Sequence, residues 1–127
     1  MSEFINTLSV TKVKEAPSGG RATWRLNFAL MYISDIRGGI VVPEGFETDF
    51  ASVPRLPFMY LLTGGTAEAS ATIHDWLCCG AYARGEITWQ EAALVFHEAM
   101  KAEGVPAWRR WAMYWAVRLF GEQNGCI

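Results

Sequence analysis

Two short stretches of this chain place ionisable and hydroxyl side chains among apolar neighbours. The first runs from Gly45 to Arg55, and the second is the adjacent pair His74-Asp75. Burying such groups without partners is costly, so their positions require a structural or a chemical role. We predict that the two stretches meet in one polar cluster, where a β-sheet joins a layer of helices. The members of this polar cluster are Thr48, Asp49, Ser52, Arg55, His74 and Asp75.

The polar cluster supports two interpretations. In the first, it is the site of a small metal-dependent hydrolase, in which Asp49, His74 and Asp75 act as catalytic groups or as ligands of a divalent metal. Thr48, Ser52 and Arg55 would then bind and orient the substrate. In the second interpretation, the same side chains form a hydrogen-bonded network that locks a loop to a helix and holds no metal.

The local geometry around His74 leaves both interpretations open. Neighbouring helical residues point about 100° apart, so His74 and Asp75 face one small ligand only if it lies between them. His74 and Cys78 form an i, i+4 pair, a spacing that suits two metal ligands. A contact with Asp49 would raise the pKa of the His74 imidazole. Structural alternatives are a half-buried His74 that ties helix to loop, and an Asx-turn at Asp49.

Composition limits the class of protein. The chain has 127 residues, 51% of them hydrophobic, and a net charge of −2, which predicts one globular domain over residues 1–127. The acidic balance argues against a nucleic-acid partner. We find neither a signal peptide nor an apolar run long enough to span a bilayer, so we expect the host bacterial cytoplasm, or a virion, as the location.

The three cysteines, an odd number, do not suggest a disulfide framework, and we expect them to be free thiols.

The order of the elements predicts an α+β fold. Strands are expected between about residue 5 and residue 50, beginning with an antiparallel hairpin whose second strand alternates cleanly from Thr23 to Tyr32. That alternation places Phe28 on the same face as Leu26 and Leu30. Three helices packed on the sheet follow between about residue 66 and residue 121, and a short tail ends the chain. Local signals mark where these elements begin and end. A type I turn is predicted over Val42–Gly45, and a capping box at Thr88 begins a helix that stops at Gly104. Pro106 is expected in the first turn of the last helix.

The last helix is apolar nearly all round. Trp108, Trp111 and Trp115 share one face at i, i+3 and i+7, and Tyr114 and Val117 would widen it. The helix could be a central core helix with arginines that extend to solvent. It could instead be an interface for a protein partner, where Trp and Arg are enriched, or it could lie on a membrane surface.

The string from Val42 to Arg55, V-P-E-G-F-E-T-D-F-A-S-V-P-R, resembles the signature of a family of small phage and prophage proteins of unknown function. The resemblance continues in an alanine-rich helix with His74-Asp75 and in an aromatic helix that ends at Phe120-Gly121, so it spans roughly Val41 to Gly121. It implies a phage or prophage origin and no particular activity. At one place this sequence departs from the family: Gln90-Glu91 stands where the family often has Ala-Asp. If that Asp is a metal ligand in the family, Glu91 would have to replace it here with a longer side chain.

Two functional expectations follow. The first is a non-enzymatic virion, assembly or host-directed accessory protein that acts through a protein partner or self-assembly. Its contact surface would be the face of Trp108, Trp111 and Trp115. The second is the metal-dependent hydrolase built on the polar cluster.

Overall fold

The computed structural model describes residues 2–15, 23–48, 68–82 and 84–120. Six strands precede three helices in these residues. The strands are β1 (Glu3–Phe4), β2 (Val10–Lys14), β3 (Thr23–Leu26), β4 (Leu30–Ser34), β5 (Gly38–Val42) and β6 (Glu47–Thr48). The helices are α1 (Glu68–Leu77), which continues as a π-helical turn over Cys78–Tyr82, α2 (Trp89–Ala102) and α3 (Ala107–Phe120).

The strands form two antiparallel sheets of three strands each, in the orders β1-β4-β5 and β2-β3-β6. β4 and β5 are consecutive and pair Leu30 with Val42 and Tyr32 with Ile40, so that these four side chains face the core. Helices α1 and α2 contact the first sheet, and α3 packs mainly on α2. The predicted α+β class, with strands first and helices second, is confirmed.

The long strand predicted from Thr23 to Tyr32 is wrong, because the chain leaves β3 of the β2-β3-β6 sheet after Leu26 and enters β4 of the β1-β4-β5 sheet at Leu30. Asn27 ends the β2–β3 pairing in register with Ser9: its backbone N–H donates to the Ser9 carbonyl, and its side chain bonds the hydroxyls of Ser9 and Thr11. This kink turns Phe28 outward, where 66% of it is exposed, although alternation predicted that it faces the core.

The turn before β6 lies one residue later than predicted. The Phe46 N–H donates to the Pro43 carbonyl at 3.2 Å, which defines a turn over Pro43–Phe46. Gly45 occupies its third position with φ +87°, a conformation that suits a type II turn and that favours glycine.

The predicted ends of α2 are confirmed. The Thr88 hydroxyl accepts the Glu91 N–H at 3.0 Å, as an N-cap does, and the Glu91 carboxylate lies 3.2 Å from the same hydroxyl. Gly104 follows the helix with φ +90°, the left-handed conformation typical of a helix stop.

The central helix of the fold is α1, not the last helix. Eight of the ten residues of α1 are buried, including Ile73, His74 and Asp75. α3 instead buries one face, made by Met113, Tyr114 and Val117, and exposes the opposite one. The interpretation of α3 as a central core helix is therefore wrong. Helix α1 packs against both α2 and the sheet, whereas α3 packs mainly on α2 in the described part of the chain.

No helix within the described ranges is long and apolar enough to cross a membrane.

Candidate functional site

The polar cluster begins where β6 meets α1. The Thr48 hydroxyl, at the end of β6, donates a short hydrogen bond to Oδ2 of Asp75 on α1. Both residues are buried, with Asp75 only 6% exposed. A buried carboxylate needs such partners, so this bond fastens the edge strand of one sheet to the central helix.

His74 points to the other side of α1, as the 100° rotation between neighbours requires. Its ring lies 5.6 Å from the Trp89 ring and 5.2 Å from the Phe96 ring, measured between centroids, and both of these residues belong to α2. The side chain is 2% exposed, so it is fully buried and not half-buried as predicted. Burial lowers the pKa of His74 to about 4, opposite in sign to the effect expected from a carboxylate contact. The imidazole is therefore neutral at pH 7.

The predicted pairing of His74 with Cys78 is present. The Cys78 sulfur lies 3.6 Å from Nε2 and 3.7 Å from Nδ1 of the ring. Burial, with a contribution from the Asp75 charge, raises the pKa of Cys78 to about 12, so this thiol is neutral and unreactive at pH 7. Cys78 is free, as predicted. Cys79 is disulfide-bonded, so the prediction of free thiols is wrong there.

The remaining predicted members of the cluster, Asp49, Ser52 and Arg55, lie outside the described residues. Among the residues that are described, no group of three or more His, Cys, Asp or Glu side chains is placed to hold a metal ion. His74 and Asp75 face different sides of α1, and each is buried. The described part of the cluster is thus suited to fastening elements together, because a neutral buried imidazole and a hydrogen-bonded carboxylate pack without reaching solvent.

Sequence reasoning missed two carboxylates that join elements. Oε1 of Glu98 on α2 accepts a 2.6 Å hydrogen bond from the Tyr32 hydroxyl, and Oε2 accepts the Asp35 N–H at 3.1 Å. Burial and Glu98 together raise the pKa of Tyr32. Glu98 therefore ties α2 to the β4–β5 hairpin. No sequence motif marks this contact, because its partners are more than sixty residues apart in the chain.

Glu103, just after α2, accepts hydrogen bonds from the backbone N–H of Ser70, at 2.8 Å, and from the Ser70 hydroxyl. It thereby satisfies a free N–H in the first turn of α1. Burial raises the pKa of Glu103. A cavity of about 380 Å³ adjoins this contact, with apolar lining from Phe4, Leu8 and Val10 and carboxylates from Glu68 and Glu103.

The most exposed apolar surface of the helices is on α3. We call this surface the tryptophan face, and it comprises Trp108, Trp111, Trp115 and Leu119. The exposed fractions of these side chains are 61%, 46%, 48% and 64%. The sequence correctly placed the three tryptophans on one face, but Tyr114 and Val117 lie on the buried side instead of widening it. The Trp111 ring packs on His97 of α2 at a centroid distance of 3.9 Å, which links the tryptophan face to the preceding helix.

Comparison with known proteins identifies the class of this chain. Residues 24–117 match the family described as a protein of unknown function, DUF1353, and the chain belongs to this family. The match begins in β3 and ends in α3, so it includes the Thr48–Asp75 contact and all three tryptophans of the tryptophan face.

Two relatives from Sinorhizobium fredii (strain NBRC 101917 / NGR234) resemble the chain. The uncharacterized protein y4jT is 34% identical over 84 residues, which are 63% of this chain and 23% of that protein. The uncharacterized protein y4iH is 34% identical over 85 residues, which are 64% of this chain and 33% of that protein. The similarity thus covers a third or less of the length of either relative. No solved structure matches the chain significantly.

Proposed function

We propose that this protein is a phage- or prophage-encoded component that acts through protein contacts, in virion assembly or as a host-directed accessory factor, and that the tryptophan face of α3 is its contact surface. The phage origin rests on the signature between Val42 and Arg55. The contact role rests on one observation, the exposure of three tryptophans along a single helix face.

Exposed tryptophan at this density favours a binding role for a physical reason. Each indole that a partner covers removes a large apolar area from water, at about 25 cal/mol per Å². Tryptophan is also enriched among the residues that dominate binding energy at protein interfaces. The core of the protein does not need these side chains, because Met113, Tyr114 and Val117 already pack α3 onto the fold. The exposed parts of the tryptophan face are therefore apolar surface beyond the contacts that pack α3 onto the fold.

The polar cluster has a supporting role in this proposal. Thr48–Asp75 joins the second sheet to α1, and His74 packs α1 on α2. Together they hold the layer on which α3 rests, so that the tryptophan face is presented on a rigid support.

Site-specific photo-crosslinking tests the contact role. A photo-reactive phenylalanine replaces Trp108 on α3 in one variant and Phe28, between β3 and β4, in a control; the two positions have similar exposure, at 61% and 66%. In lysogenic host cells we expect a discrete crosslinked protein from position 108 that is missing from position 28. Crosslinking that is absent at position 108, or identical at both positions, would contradict the proposal.

The metal-dependent hydrolase remains the competing function, and a second measurement addresses it. The metal content of purified native protein is determined by elemental analysis, together with thermal melting with and without chelator for wild type and His74→Ala. Stoichiometric metal that is lost in the variant, with a chelator-sensitive melt, would favour the hydrolase. A metal-free protein whose variant melts lower regardless of chelator supports the network role.

A further inference from the structure

Helix α3 carries an unbalanced positive charge. Its sequence contains Arg109, Arg110 and Arg118 and no Asp or Glu. The whole chain has a net charge of −2, and α3 contributes +3, which leaves −5 for the rest of the protein. The arginines therefore form a local cationic region on an otherwise acidic molecule.

Two of these arginines contact the tryptophan face. The Arg109 guanidinium lies over the Trp108 ring at 5.4 Å, and the Arg118 guanidinium lies over the Trp115 ring at 5.2 Å. Each cation is thus held against an indole by a cation–π contact, which orients it at the surface. The positive field extends to α2, where burial, Arg110 and Lys101 together lower the pKa of His97.

None of the three arginines is paired with a carboxylate in the described residues, where ion pairs join Lys12–Glu15, Arg25–Glu47 and Arg84–Glu86. The hydrogen bonds of Arg110 and Arg118 go to neutral oxygens, the Val105 carbonyl and the Tyr114 hydroxyl. In addition, the buried Nε atoms of Arg109 and Arg110 and the buried Nε2 of His97 have no hydrogen-bond partner. Arg109 and Arg118, which are half-buried, thus have no carboxylate from the described residues to balance their charge.

We infer that the partner of the tryptophan face is a protein segment that presents carboxylates next to aliphatic or aromatic side chains. This inference rests on the proposed function, since it specifies the partner of the same surface. The apolar side chains of the segment would cover Trp108, Trp111 and Trp115, while its carboxylates pair with Arg109 and Arg118. Guanidinium groups bind carboxylates through two parallel hydrogen bonds, which fixes orientation as well as charge.

A protein fits this face better than a membrane does. A helix that lies in a membrane surface inserts its apolar side chains and keeps its cations at the rim, in the headgroups. Here two guanidinium groups lie over the indole rings themselves, so burying those rings in hydrocarbon would also desolvate the cations. Protein interfaces, in contrast, commonly combine tryptophan with arginine.

A symmetric dimer through this face is also disfavoured. A twofold axis near Trp111 would place the same patch of both copies face to face. Arg109 and Arg110, within two residues of this axis, would then lie near the same two arginines of the other copy, and like charges across an interface are unfavourable. The acidic surface must come from a different region or a different protein.

The test is selection from a displayed library of random peptides, with the full chain as bait. Four variants are compared with wild type: Trp108→Ser, Trp115→Ser, the double variant Arg109→Gln/Arg118→Gln, and a charge control, Lys14→Gln, on exposed β2. Thermal melting first confirms that each variant folds. The tightest-binding peptide is then synthesised in two forms, one with its native carboxylates and one, the amide peptide, with every Asp replaced by Asn and every Glu by Gln. The affinities of both forms are measured at low and high salt.

We expect the peptides whose binding depends on Trp108 or Trp115 to be enriched in Asp and Glu relative to the input library. The double arginine variant and the amide peptide should each bind about tenfold more weakly, or about 1.4 kcal/mol. Lys14→Gln should bind as wild type does, and high salt should weaken only the acidic peptide.

The alternative outcomes separate the two proposals. One alternative is that peptides bind through Trp108 or Trp115 and yet show no enrichment in Asp and Glu, or bind the double arginine variant as tightly as wild type. Either result would overturn the inference of an acidic partner and leave the contact role intact. Absence of any peptide that depends on these tryptophans would count against the contact role itself. Two further results would also overturn the inference. One is tryptophan-dependent binding to phosphatidylserine-containing vesicles but not to pure phosphatidylcholine vesicles. The other is concentration-dependent dimerisation that Trp108→Ser removes.

Discussion

Acid should destabilise this protein through His74. The imidazole is 2% exposed and packs on Trp89 and Phe96, and its burial lowers the pKa from 6.5 to about 4. Between these two values the unfolded chain binds a proton that the folded chain excludes. A depressed folded-state pKa of this kind means that stability is fully present above pH 6.5 and is lost as the pH falls towards 4.

The magnitude follows from the size of the pKa difference. One unit corresponds to about 1.36 kcal/mol, so a decrease from 6.5 to about 4 removes about 3 kcal/mol of unfolding free energy. That is a large part of the roughly 5–15 kcal/mol typical of a folded domain. Glu103 acts in the opposite direction, because its raised pKa favours the folded state as the pH falls. A comparison with a variant is therefore needed to isolate His74.

The assay is urea unfolding of wild type and His74→Leu at a series of pH values from 7 to 4. Leucine keeps an apolar volume against the rings of α2 and removes the titrating group. We expect the free-energy difference between the two proteins to shift by about 3 kcal/mol in favour of the variant across this range. His97→Gln is the matched control, since His97 is the other histidine of the chain and is only half-buried. The unfolding free energy of this control should depend on pH in nearly the same way as that of wild type.

Nuclear magnetic resonance gives a direct check of the same prediction. The ring signals of His74 should remain those of neutral imidazole down to about pH 5, because the folded-state pKa is about 4. Titration of His74 near pH 6.5, or parallel stability profiles for wild type and His74→Leu, would refute the argument from burial.

Three further substitutions test individual contacts by chemical denaturation. Thr48→Val keeps the side-chain shape but removes the hydrogen bond to buried Asp75, and it should cost about 1–3 kcal/mol; an unchanged midpoint would show that the bond does not fasten β6 to α1. Tyr32→Phe removes the 2.6 Å hydrogen bond to Glu98, and we expect a loss of about 1–3 kcal/mol together with faster amide exchange in β4. Equal exchange in both proteins would argue that Glu98 does not hold the hairpin. Thr88→Ala removes the N-cap of α2 and should cost about 1 kcal/mol, with Thr88→Ser retaining most of the stability.

Local chemistry explains the elements that were predicted correctly. The ends of α2 were read from Thr88, Glu91 and Gly104 because capping depends on residues only a few positions apart. The β2–β3 pairing and the order of strands and helices were likewise visible in alternation and composition. The helical repeat alone was sufficient to predict that Trp108, Trp111 and Trp115 share one face.

Which face of α3 points inward could not be read from the helical repeat, because both faces are apolar. The structure buries Met113, Tyr114 and Val117, and it exposes the tryptophans. The reason is that α2 offers a surface to only one side of α3, and that surface is assembled from a different segment of the chain. The break at Asn27 has a similar origin, since its partner Thr11 lies on β2 and its partner Ser9 lies just before that strand.

The sequence by itself determined the α+β order, the caps and the residue types of the polar cluster, because these depend on neighbours along the chain. Only the tertiary structure decided that Asp75 bonds Thr48 while His74 faces α2 as a buried neutral ring. Burial and long-range partners set the protonation state of a histidine, and neither is encoded within one helical turn. The same holds for Glu98 and Glu103, whose roles exist only where distant segments meet.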